Sequence, residues 1–408
     1  MFEWGVTNFT IKKLQEEELM KETQSGKTKG TTSRGVAVAT MVSFLFVVLG
    51  GMLMVPAPAT AGVAISDKLS VFGDVRVRYE QDREDRTGTN IDRDRDRARF
   101  RARFGFKHKT TDKITVGMRF ATEADSLQSP HQTMGVTGGA SDDFGIDRAY
   151  IETKWGKGGF LWLGKHGISF WEQNEQFWDG DIQPEGAGLG YKFGLGDDAS
   201  LLLQSTFTYI SENGWSNSST NAVMDDDTGL TLQAVLTKGG ATAALGTLMV
   251  SDGGAANIRG GDADYYIGSV QFKTKTDLPI KLGVDYLWSD NLHYAANSTT
   301  GPNVNSEDTG YVLNASTKKG DWSFQFKHYD IGLNSVPLQG QVSQDNFRFS
   351  SNFDGQRYQV GYSFGGGVSM DGRVYHQNQK ATGLANVQGP VQNSDENTRY
   401  QVNLNAKF

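Results

Sequence analysis

The chain has 408 residues, enough for two ordinary domains or one large barrel, with 37% hydrophobic residues and a formal net charge of −7. So low an apolar content excludes a helical membrane protein, the absence of cysteine excludes disulfide and thiolate metal sites, and the acidic balance leaves no basic footprint for nucleic acid. Fifty glycines against eight prolines suit strands joined by tight turns.

Lys27, Lys29 and Arg34 precede an uncharged run from Val36 to Val55, and Ala59-Thr60-Ala61 follows it. A basic flank, an apolar core and an A-x-A site predict a signal peptide cut after Ala61, so that the mature chain begins at Gly62. The alternative is an uncleaved anchor, since the run is long for a signal core. Residues 1–20 are unlike a signal peptide, and Met20 or a later Met is an alternative start. The expected organisation is an N-terminal extension and signal peptide over 1–61 and one β-domain over 62–408.

The first predicted strand, 69–80, sets Val71, Val75, Val77 and Tyr79 against Asp74, Arg76, Arg78 and Glu80. The second, 96–108, follows a ladder in which Arg93, Arg95, Arg97, Arg99, Arg101 and Arg103 alternate, in its later part, with Ala98, Phe100, Ala102 and Phe104. A strand sends alternate side chains to opposite faces, so this segment has an arginine face and an apolar face; a helix would scatter the same charges all round. Lipid on one side and water on the other is the simplest setting for such a strand. The two-residue period continues over 113–123, 145–154, 159–166, 186–193, 200–210, 228–238, 241–251, 264–274, 280–289, 310–318, 321–331, 356–365, 367–377 and 398–408. Of these, 159–166 and 241–251 lack a clean polar face. The Asp92–Arg97 run reads as a solvated shoulder between loop and strand.

The connections alternate short and long. Short turns fall near 109–112, 155–158, 194–199, 239–240, 275–279, 319–320 and 366. Long loops fall near 81–95, 124–144, 167–185, 211–227, 252–263, 290–309, 332–355 and 378–397. Alternation of this kind with an even strand number predicts an all-β fold: a transmembrane antiparallel β-barrel of about 16 strands in a bacterial outer membrane, with short periplasmic turns and long extracellular loops. Aromatics at strand ends, Tyr79, Trp155, Tyr209, Trp288, Trp322 and Tyr400, suit interfacial girdles against outer-membrane lipid. Phe408 closes an amphipathic last strand with Tyr400 on the same face, an arrangement similar to the signal read by the barrel-assembly machinery.

The third long loop mixes Phe170, Trp171, Phe177 and Trp178 with Glu172, Glu175, Asp179, Asp181 and Glu185. Aromatics in a loop need somewhere to pack, and folding inward against the wall provides it. The five acids would then form a negative rim opposite a positive wall of Arg76, Arg78, Arg97, Arg99, Arg101, Arg103, Arg119 and Arg148, sorting solutes by charge. The plainer alternatives are an external loop with solvated acids, and arginines neutralised by Asp74, Glu80, Glu123, Asp147 or Glu152. Asp225-Asp226-Asp227, Asp142-Asp143 and the pair Asp262 and Asp264 read as solvated loop acids rather than cation sites. The six histidines show no metal spacing, no hydrolase elbow is present, and no glycine-rich stretch precedes a helix. The expectation is therefore no catalytic residue, metal or cofactor.

Arg97-Ala-Arg-Phe-Arg-Ala-Arg-Phe-Gly-Phe106, Ile146-Asp-Arg-Ala-Tyr-Ile151, Leu163-Gly-Lys165 and Phe177-Trp-Asp-Gly-Asp-Ile-Gln-Pro-Glu-Gly186 together resemble the bacterial "putative porin" outer-membrane family. The resemblance covers roughly residues 70–190. His166-Gly167 departs from the proline that often follows the lysine in that family. It implies a passive diffusion channel for small hydrophilic solutes, and, by similarity to porins generally, a homotrimer. If the arginines dominate the narrowest section, small anions are favoured. The competing expectations are an outer-membrane barrel enzyme such as a hydrolase, and a plugged structural or adhesive barrel.

Overall fold

Alternating polar and apolar residues close into a single cylinder in the computed structural model, which describes residues 62–86, 93–122, 128–136, 138, 143–210, 228–251, 263–290, 307–340, 342–344, 346–380 and 394–408. The sixteen long strands are β1 (Leu69–Arg86), β2 (Arg93–Lys109), β3 (Ile114–Thr122), β4 (Phe144–Trp155), β5 (Gly159–Lys165), β6 (Glu185–Gly194), β7 (Ala199–Tyr209) and β8 (Thr228–Lys238), then β9 (Ala241–Ser251), β10 (Ala263–Lys273), β11 (Ile280–Asp290), β12 (Thr309–Lys319), β13 (Trp322–Ile331), β14 (Phe353–Gly365), β15 (Val368–Gln379) and β16 (Ser394–Lys407). Each is antiparallel to its neighbours, and β16 pairs with β1 from Lys407↔Asp74 upward, which closes the barrel. Closure leaves no free sheet edge. Two short pieces, Val63–Ala64 and Gln132–Thr133, add to β1 and β2.

The signal-peptide segment, Glu123, Asp142, Asp225 to Asp227 and Asp262 lie outside the described residues. The expected loop over 81–95 is corrected: the hairpin of β1 and β2 runs on, and only 87–92 connects the two strands. Charge pairing carries it. Glu80 and Asp82 meet Arg97 and Arg95 on the inner face, and Arg83 meets Asp94 and Asp96 on the outer face. With both faces charged, this extension suits water rather than lipid.

The outer face is apolar. Phe104, Leu163, Leu189, Leu203, Leu245, Leu282, Leu313 and Phe324 all stand exposed on it. A contiguous apolar band of this extent is a surface that a bilayer solvates. Phe104, Phe120 and Phe144 stack there, with centroids 5.3 to 6.0 Å apart. At the seam, Phe408 exchanges backbone hydrogen bonds of 2.9 and 3.0 Å with Gly73, which ties the end of the chain to β1.

The inner face is divided. Strands β1 to β4 and β14 to β16 carry charge. Strands β9 to β13 carry Leu248, Val250, Tyr265, Ile267, Leu287, Val312, Tyr329 and Ile331 near the long-loop end, all buried. An apolar inner wall cannot face a water-filled lumen without cost, and two loops cover it. Loop 3 (166–184) contributes Phe177, Trp178 and Ile182, and loop 7 (332–352) contributes Val336, Leu338, Val342, Phe347 and Phe349 to the same cluster. This also explains the missing polar face of 241–251, because the inner side of β9 meets loop aromatics instead of water.

Candidate functional site

The register of β1 on β2 sets the charges: Asp74↔Arg103, Arg76↔Arg101, Arg78↔Arg99, Glu80↔Arg97 and Asp82↔Arg95. Opposite charges meet at both ends of this ladder, and arginine meets arginine in the middle. A third such pair, Arg119↔Arg148, joins β3 to β4. Like charges directly opposed across a ladder destabilise it, so the neighbouring strands compensate. Asn405 and Asn403 on β16 accept from Nε of Arg76 and Arg78, both at 2.7 Å. A register shift after Arg119 leaves Asp147 unpaired in the ladder, and its carboxylate bonds the Arg119 guanidinium.

Loop 3 then runs around the inside of the wall. Ser169 accepts from the Trp162 indole at 2.9 Å and donates its backbone N–H to Thr206 at 2.7 Å. The backbone of Trp171 is held at both ends by Gln233, each bond 2.7 Å. The Phe170 ring lies where a Cβ on Gly246 would stand, and the Gln173 amide fills the place of one on Gly283. Only glycine permits these approaches. The Gln173 amide donates to Val270 O, Val284 O and Asp285, and Asn174 donates to the second Asp285 oxygen. The loop next meets loop 7: Ser343 Oγ donates to Gln176 O at 2.6 Å, Gln176 to Ser350 O at 2.7 Å, and Asp179 N–H to Val342 O at 2.6 Å. It finally reaches the arginine ladder, where Asp181 accepts from Arg103 at 2.8 Å and lies 3.3 Å from Arg101.

These elements enclose a cavity of about 660 Å³. At roughly 30 Å³ per molecule it holds about twenty waters. The positive wall consists of Arg76, Arg78, Arg101, Arg103, Arg119 and Arg148, joined by Lys327, Arg357 and Arg373. Glu172, Glu175, Asp179 and Asp181 are the loop 3 acids that line it. Nine cations therefore face four loop carboxylates.

Three of the expected site residues stand elsewhere. Arg97 is bonded to Glu80, and Arg99 donates to His131 O at 2.8 Å, so neither lines the cavity. Glu185 is the first residue of β6, points outward and pairs with Lys165 at 3.4 Å, because loop 3 has rejoined the wall by that position. Asp181 touches the arginine wall instead of facing it across water, and Asp179 accepts the Asp181 backbone N–H at 2.8 Å, bracing a turn. The expected partner Glu152 meets Lys154 instead of an arginine.

Several participants had no signal beyond strand alternation: Lys327, Arg357, Arg373 and the Asp371 that bonds Arg373. His131 also lines the cavity. Burial, with Arg78 and Arg76 nearby, pushes its protonation well below the usual imidazole range and keeps the ring neutral. Glu172 is shifted the other way, well above the usual carboxylate range, by burial and by Glu175 and Asp285. Among the described residues, no group of three His, Asp or Glu is placed to hold a metal ion.

Residues 84–227 match the family model described as "putative porin". No curated protein matches the chain. Among solved structures, Salmonella typhi OmpF in complex with daunomycin is 11% identical, with 85% of this chain and 100% of that one covered and a TM-score of 0.52. Pseudomonas putida OprB at high pH is 9% identical, with 84% and 94% covered and a TM-score of 0.51. A triple mutant of the Rhodopseudomonas blastica porin is 13% identical, with 83% and 100% covered and a TM-score of 0.46. At these identities the likeness to the first two is one of fold alone.

Proposed function

We propose that the chain is an outer-membrane porin, a passive diffusion channel for small hydrophilic solutes that favours anions, and not an enzyme. The observation that carries this is the directly opposed arginine pairs Arg76↔Arg101 and Arg119↔Arg148, both on the wall of a polar cavity inside a closed barrel, with Arg78 and Arg103 beside them. Folding gains nothing from placing like charges opposite each other. A water path that must hold and pass anions does gain from it. The match to the porin family over 84–227 supports the same reading. In it the short turns face the periplasm, the long loops face outward, residues up to Ala61 are removed on export, and Tyr400 and Phe408 carry the assembly signal. The homotrimer implied by resemblance to porins generally belongs to the same proposal.

A plugged barrel is the second reading, favoured by the amount of lumen that loops 3 and 7 occupy. Single-channel recording of the purified chain in planar bilayers separates the two. Discrete steps in dilute chloride, with a reversal potential on the anion side of zero, are expected; a barrel that inserts and carries no current would overturn the channel.

Glu172 adds a pH dependence. Its carboxyl sits above the usual carboxylate range, so its charge is present at high pH and is lost, as pH falls, before that of an ordinary carboxylate. Losing it strips one negative charge from the rim, and anion preference should rise as pH falls through that titration by about two- to threefold, the effect of one unit charge roughly 8 Å from the path in water. Reversal potentials measured against pH check this, and Glu172→Gln should flatten the response at its high-preference end.

A further inference from the structure

We infer that the short-turn mouth of the barrel holds a second site, specific for small polyvalent oxyanions such as phosphate. A separate cavity of about 370 Å³ is lined there by Lys273, Lys281 and Lys318, with Ser316, Ser323 and Gln325 among its polar groups. Lys273 and Lys281 stand directly opposite each other on β10 and β11, Lys281 lies opposite Ser316 on β12, and Lys318 opposite Ser323 on β13. The strand period points all five of these side chains inward.

Three features make this more than a basic rim. No carboxylate lines the cavity, whereas Lys154, Lys165 and Lys380 each have one within salt-bridge distance. The opposed lysines repeat, on β10 and β11, the like-charge pairing that the arginines make on β1 and β2. Gln325 and Gln359 line both cavities, so this one adjoins the foot of the central cavity. Three ammonium groups with two hydroxyls match the charge and the several acceptor oxygens of a phosphate better than the single charge of chloride. An anion leaving the arginine wall would meet this site before the exit. The route rests on the channel reading; the binding chemistry does not.

Inorganic phosphate is the probe, titrated calorimetrically into the detergent-solubilised full chain and, separately, added on each side of a bilayer while chloride current is recorded. Phosphate should bind, and should reduce the current more strongly from the short-turn side. The triple substitution Lys273→Gln, Lys281→Gln, Lys318→Gln should weaken binding about tenfold or more, since a single charge-assisted bond is worth about 1.5 kcal/mol or more. Lys113→Gln, Lys192→Gln, Lys238→Gln removes the same charge from the same end outside the cavity and should weaken it less than about twofold. Should the first triple fail to fold, Lys281→Gln alone should weaken binding severalfold. Equal losses in the two triples, an unaffected Lys281→Gln, or no phosphate binding by the unaltered chain would overturn the site. Phosphate binding without conductance would retain the site and remove the channel; conductance without phosphate binding would do the reverse.

Discussion

Replacing Arg101 and Arg103 together by alanine is expected to move the channel from anion toward cation preference, by about tenfold in the permeability ratio. Each lost charge beside a watery path is worth about 0.5 to 1 kcal/mol. The geometry adds a second contribution. The two guanidiniums hold Asp74 at 2.7 and 2.8 Å and Asp181 at 3.3 and 2.8 Å, so removing them also releases two carboxylates into the cavity. Reversal potentials in a salt gradient read the change. Glu185→Gln is the matched control and should leave the ratio where it was, because that carboxylate faces outward against Lys165. The double lysine variant should keep the anion preference while loosening Asp181, since an ammonium lacks the planar fork that reaches both acids. An alanine variant whose reversal potential matches the unaltered chain would remove the arginine wall from the selectivity mechanism.

Phe177→Ala is expected to unseat loop 3. The side chain is fully buried, and its ring stacks on Phe170 with centroids 5.1 Å apart. Truncating a buried phenylalanine costs about 3 to 5 kcal/mol. With the centre of its apolar anchor gone, the loop, left with Trp178, Ile182, the Asp181 ion pairs and hydrogen bonds that water can replace, should no longer stay against the wall. Single-channel conductance should rise and become noisy, and proteases should cut within 166–184. Barrel thermal stability should change little, because the interstrand ladder is untouched. Quiet steps of unaltered size together with a protease-resistant loop would show that the aromatic cluster does not hold the constriction.

Alternation made the wall readable. Residues 228–238 and 241–251 are strands at the predicted boundaries, and the others end within a few residues of them except at the β1–β2 hairpin and the start of β16. The hairpin was hard to read because Glu80 to Glu84 and Arg93 to Arg97 look solvated one at a time and become strand only when their charges are paired across the ladder. Loop 3 could be read from its aromatics. Loop 7 carries the same signal in Phe347, Phe349, Val336, Leu338 and Val342, and its inward fold follows from the same physics. The contributions of Lys327, Arg357 and Arg373 to the cavity could not be read locally, because a lone inward charge looks alike on every strand until the closed barrel brings the strands together.

The interlock of loops 3 and 7 has a kinetic consequence. Asn174 bonds Asp285 across 111 residues, and Gln176 bonds Ser350 across 174. Contacts so distant along the chain form late, after loop-closure entropy has been overcome by other pairings. The first part of loop 3 finds partners on β5 to β9, but Gln173, Asn174 and Gln176 have theirs only once β10, β11 and loop 7 are in place. The cylinder therefore closes around an empty bore, and the constriction is the last part to mature. A freshly inserted molecule should pass through a wide, unselective stage before it narrows.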